Sequence, residues 1–113
     1  MGTNSPQTIH KFHEGTNSVS NGNELIISTN MSTINIELSG NATGSTLNFE
    51  VLSIDGGSWY GIQGVNLTAM TLASSVTTLG SIYQFDLTGS YKFRIRVSEI
   101  ISGTVNAIGR VVN

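Results

Sequence analysis

The 113-residue sequence has no cysteine, one proline and only 11% charged residues, under half the share of about 25% in average soluble proteins. Without cysteine there is no disulfide framework, no thiolate metal site and no cysteine nucleophile. Five Lys and Arg stand against seven Asp and Glu, a net charge of −2, so no basic surplus exists to neutralise a phosphate backbone and nucleic acid is not an expected partner. No apolar run exceeds three residues, which leaves nothing to span a membrane as a helix, and no membrane partner is expected. Residues Met1 to Pro6 hold no apolar stretch, so no signal peptide is expected, and Pro6 sits where a myristoylation motif takes Ser or Thr. Strong helix formers are scarce: four Ala, two Lys and three Gln against 33 Ile, Val and Thr. Stiff β-branched side chains favour strands, so the expected class is all-β.

What is present is a polar skin, with 39 Ser, Thr and Asn and 13 Gly, around enough apolar side chains for one small core. Strict alternation marks Tyr91 to Ser98, with Tyr91, Phe93, Ile95 and Val97 on one side and Lys92, Arg94, Arg96 and Ser98 on the other. Thr33 to Leu38 and Thr46 to Val51 alternate in the same way. Further strands are expected at Thr8 to Phe12, Glu24 to Thr29, Trp59 to Gln63, Val65 to Thr71, Ser81 to Leu87 and Thr104 to Val112, separated by Gly- and Asn-rich turns. Met70 to Leu79 carries a helical spacing of Leu72, Val76 and Leu79, but its Thr and Ser content favours strand and loop. The spacing predicts a single antiparallel β-sandwich or jelly roll of about eight strands at residues 24–113. Residues 1–23 read as a polar N-terminal arm lying on a neighbouring subunit, on a lattice neighbour or as an edge strand of the same sheet.

Matching inward faces suggests two hairpins. In one, Leu38, Ile36 and Ile34 oppose Leu47, Phe49 and Val51; in the other, Val97, Ile95, Phe93 and Tyr91 oppose Val105, Ala107, Gly109 and Val111. The second register sets Lys92 against Arg110 and Arg94 against Ile108 on the outer face, where stacked like charges call for an acidic partner.

Catalytic signatures do not assemble. His10 and His13, three apart, fall on opposite faces of a strand and suit no metal site. Glu37 and Glu50 fall diagonally on adjacent strands in the first hairpin, about 7–8 Å apart, within the roughly 6.5–9.5 Å used by inverting glycosidases. Their wet face, however, supplies no means to raise a carboxyl pKa. The simpler reading has these acids offsetting the basic stripe across a sheet or between subunits. No Gly-x-Ser-x-Gly elbow accompanies the serines, and no lysine follows Gly56-Gly57 as a phosphate loop requires. No catalytic, cofactor or metal residue is therefore expected. Candidate interface or ligand-binding residues are Trp59, Tyr60, Lys92, Arg94, Arg96, Ile108 and Arg110. The adjacent Trp59 and Tyr60 must turn one ring outward.

Three stretches then carry a resemblance: Ser39 to Val51, Asp55 to Ile62, and Phe85 to Val97 with the Ser102-Gly103-Thr104-Val105 turn. The series resembles small β-sandwich virion proteins of tailed bacteriophages, of the fibre, capsid-decoration or tail and baseplate type. The resemblance implies a non-enzymatic structural component, a homo-oligomer with a trimer favoured, bound to other virion proteins. It implies location in the virion after synthesis in the cytoplasm of a bacterial host. The alternative is a carbohydrate-binding module that uses Trp59 and Tyr60 on host-surface glycans.

Overall fold

The computed structural model describes residues 8–112; Met1–Gln7 and Asn113, and with them the start of the expected arm, lie outside the described residues. The described chain forms β1 (Thr8–Thr16), β2 (Leu25–Ile26), β3 (Thr33–Gly40), β4 (Thr46–Leu52), β5 (Trp59–Gly61) and β6 (Gly64–Asn66). It continues with β7 (Thr71–Ala73), β8 (Ser75–Val76), β9 (Ile82–Asp86), β10 (Lys92–Glu99) and β11 (Val105–Val112). Two antiparallel sheets result, one ordered β1-β11-β3-β9-β6-β7 and the other β2-β10-β4-β5, with β8 also paired to β4. The all-β expectation holds. Among the described residues eleven strands replace about eight, because several are only two or three residues long. Met70 to Leu79 is strand and turn, with no helix.

Alternation decides which side chains meet. Ile34, Ile36 and Leu38 of β3 are buried, as are Phe93, Ile95 and Val97 of β10 and Val105, Ala107 and Val111 of β11, while their neighbours face outward. Rings taken alternately from the two sheets run through the core: Phe12, Phe93, Phe85, Phe49 and Tyr83, with successive centroids 5.5, 5.1, 4.7 and 5.3 Å apart. These spacings suit tilted and edge-on aromatic contacts. Gly64 lies under Phe85, where a Cβ would come within 2.3 Å of the ring.

Neither expected hairpin forms. β3 pairs with β11 and β9, and β4 pairs with β10, β5 and β8. The connections over residues 41–45 and 100–104 each cross from one sheet to the other. β3 and β4, and likewise β10 and β11, therefore lie in opposite sheets. The two crossovers are tied together by a Thr43–Ser102 bridge and by Thr104 donating to the Asn41 side chain. Period-2 patterning fixes which side of a strand is dry; it does not say whether two dry sides are lateral neighbours or opposed layers. Gly109 is accordingly covered by Ile34 and Phe12 rather than by Phe93, and Tyr91, ahead of β10, is exposed.

Of the expected arm, Thr8–Thr16 is the edge strand of the six-stranded sheet, paired to β11, with Phe12 in the core. The sandwich thus takes in residues well before position 24. A register shift between Lys11 and His13 changes the phase of β1, so both Phe12 and His13 are buried. His13 of the polar arm is thereby taken into the interior and is 2% exposed.

Candidate functional site

The seven candidate residues divide between the two sheets. Lys92, Arg94 and Arg96 point outward from β10, and β4 lies beside it with Glu50 directly opposite Arg94. The Glu50 carboxylate accepts from Arg94 Nε at 2.8 Å and from Arg96 Nε and Nη2 at 3.1 and 3.0 Å. Burial alone would raise this carboxyl, but the hydrogen bonds from Arg96 and Arg94 outweigh it and hold Glu50 below the usual carboxylate range. The same bond to Glu50 raises Arg96. Lys92 meets Glu24 at 3.6 Å, and the Arg94 guanidinium lies 4.0 Å from the Trp59 ring centre. The expected opposition of Lys92 to Arg110 does not occur. Glu37 and Glu50 sit on opposite sheets, so their proposed diagonal pairing is also absent. Each cation of the basic stripe thus has an ion-pair partner within the chain.

Ile108 and Arg110 lie on the outer face of the other sheet. Register sets one row as Lys11, Ile108, Glu37 and Ile82, and the next as Ile9, Arg110, Asn35, Gln84, Val65 and Leu72. Ile9, Ile82 and Ile108 are 51, 40 and 36% exposed, and with Asn35, Glu37 and Arg110 they line a shallow cavity of about 310 Å³. Neither Glu37 nor Arg110 has an ion-pair partner among the described residues. The sequence singled out Ile108 and Arg110, weighed Glu37 only as an acid paired with Glu50 or set against the basic stripe, and missed Ile9 and Ile82. The alternation of Ile82, Gln84 and Asp86 against buried Tyr83, Phe85 and Leu87 carried the signal for Ile82.

Trp59 and Tyr60 separate as adjacent strand residues must. Trp59 turns to Arg94, and Tyr60 remains exposed beside the β4–β5 loop. That loop and Tyr60 border a second open cavity of about 550 Å³, lined by Ser53, Ile54, Asp55, Gly57, Ser58 and Tyr60. Ser53 Oγ donates to Asp55 Oδ1 at 2.6 Å, and Gly57 N donates to the same oxygen at 2.9 Å; these bonds lower the Asp55 pKa.

His13 is a structural group. Its Nε2 donates to the Ile95 carbonyl of the facing sheet and its Nδ1 accepts from Thr16 Oγ1 at 2.9 Å. Burial lowers its pKa, with the Ile95 bond opposing.

A family model, XepA, matches residues 7–111. The chain belongs to the XepA family. The SPbeta prophage-derived uncharacterized protein YomS of Bacillus subtilis (strain 168) is 27% identical over 107 residues, 95% of this chain and 88% of that protein. The crystal structure of SPBc2 prophage-derived YomS aligns with a TM-score of 0.89 at 26% identity, covering 100% of this chain and 98% of the other. The crystal structure of the PBSX exported protein XepA aligns with a TM-score of 0.91 at 27% identity over 96% of this chain. This chain spans only 38% of that XepA chain. The protein is thus a phage-derived member of the XepA family, and the family match extends beyond the region that carried the sequence resemblance.

Proposed function

We propose that this XepA-family chain is a non-enzymatic structural component of a phage virion, assembling as a homo-oligomer through the outer face of its six-stranded sheet and docking there with other virion proteins. The observation that carries this is the band of Ile9, Ile82 and Ile108 flanked by Glu37 and Arg110, one acid and one base without ion-pair partners among the described residues. A second copy laid on this face can set Arg110 against Glu37 while the isoleucines meet, and closed homo-oligomers are the common outcome of self-complementary surfaces. By contrast, Glu50 already holds both Arg94 and Arg96 in ion pairs on the opposite face, which therefore has less to offer a partner. The relative from PBSX is named an exported protein, in keeping with a product that ends outside the cytoplasm.

The test is a charge reversal. Glu37→Arg or Arg110→Glu is expected to dissociate the oligomer in sedimentation velocity, and the double variant to restore it. Single variants that keep the wild-type sedimentation coefficient rule out this face.

A further inference from the structure

The β4–β5 loop presents a feature that assembly through the other sheet leaves unused. Tyr60 lies on a short edge strand, opposite Val51, and is 60% exposed. Its ring borders the 550 Å³ cavity together with Asp55, and Ile54, 89% exposed, forms an apolar rim.

The loop is built before any ligand arrives. Ser53 N donates to the Ser58 carbonyl at 2.7 Å and Gly56 N to the Ser53 carbonyl at 2.8 Å. Ser53 Oγ accepts from Gly57 N and Ser58 N, each at 3.0 Å, while donating to Asp55. Gly56 takes the φ of +79° that the turn requires. Asp55 is thereby held in place through Oδ1, while Oδ2 has no hydrogen-bond partner among the described residues and can accept from a ligand. A site fixed in advance does not lose ordering entropy on binding.

Charge narrows the ligand class. No Lys or Arg lines the cavity, so the Asp55 carboxylate disfavours an anion. A hard cation wants six to eight oxygens, and the described residues contain no cluster of three His, Asp or Glu. A neutral polyol with an apolar face satisfies both the ring and the carboxylate.

We propose that the β4–β5 loop is a saccharide-binding site: the Tyr60 ring stacks on the C–H face of a neutral pyranose, and Asp55 Oδ2 accepts hydrogen bonds from its hydroxyls. Trp59, the other aromatic expected to serve such a site, is committed to Arg94 and takes no part.

The test is a titration of ¹⁵N-labelled full chain with glucose, galactose, N-acetylglucosamine and their short oligomers, followed by amide shifts. Saturable shifts at Gly56, Gly57 and Ser58 are expected with at least one of them. Tyr60→Ala is expected to weaken binding roughly tenfold, Tyr60→Phe to retain it, and Asp55→Asn to weaken it, the loss of one stacking or hydrogen-bonding contact being worth about that factor. Absence of shifts with every sugar, or undiminished binding by folded Tyr60→Ala, overturns the site. The result is independent of assembly: a chain that binds sugar as a monomer keeps this site and loses the oligomeric reading.

Discussion

Glu50 settles what the basic stripe of β10 is for. Two guanidiniums converge on this one carboxylate, which with Arg94 is only 12% exposed, so Glu50→Gln leaves two charges facing a neutral amide. An expected cost of about 1–3 kcal/mol follows from losing charged hydrogen bonds in a half-dry setting, readable as a lower urea midpoint with an unchanged slope. Because the folded-state pKa of Glu50 is lowered from 4.5, its stabilisation is present above that value and is lost as pH falls through the folded pKa. His13 acts in a higher window. Its folded pKa is lowered from 6.5, so the unfolded chain takes up the proton first. Stability is then complete above pH 6.5 and declines as pH drops toward the folded value. Thermal melts at pH 7.5 and 5.5 check this: the wild type is expected to melt lower at 5.5, and His13→Gln, whose amide can still donate to the Ile95 carbonyl, to show a smaller difference. Equal differences in both proteins contradict the assignment. His13 was not legible beforehand because one register shift in β1 turns inward a residue that strict alternation turns outward.

Among the elements, β1 departs most from its sequence reading. Its polar composition looks like a loose arm, yet one ring, Phe12, joins the aromatic series through the core and also covers Gly109. Phe12→Ala is expected to destabilise the fold by about 3–5 kcal/mol, the usual range for emptying a buried phenylalanine site. Deleting residues 1–23 removes a whole strand and is expected to abolish cooperative unfolding; a truncated chain that melts like the wild type contradicts the role of β1. Strand existence and inward faces were legible at β3, β4, β10 and β11, because alternation over five or more residues admits one dry side. Partners were not legible. Ile36 finds a dry environment whether Phe49 lies beside it in one sheet or across the core in the other, and the crossover loops that choose between them carry the same Gly and Asn as tight hairpin turns.

At the scale of the whole molecule, the sandwich has two unlike outer faces. One is closed by ion pairs between Glu24 and Lys92 and between Glu50 and the two arginines. The other is open, with Ile9, Ile82 and Ile108 set among Lys11, Glu37 and Arg110. Composition foretold a wet skin poor in repelling charge, and Ile108 and Arg110 were found from the phase of one strand. The full band needed the register of β1, β11, β3 and β9 together, which no single segment contains. Its apolar residues are spread one to a strand, a pattern that sequence windows do not register as a patch. Ile108→Asp, placed at the centre of the band and exposed in the lone chain, is expected to leave folding intact while separating subunits. The most direct measurement is the absolute mass of the wild-type chain by light scattering across micromolar concentrations. A mass at least twice the 12.0 kDa of one chain, falling to one chain in Ile108→Asp, is expected; a 12.0 kDa wild-type species at every concentration contradicts assembly through this face.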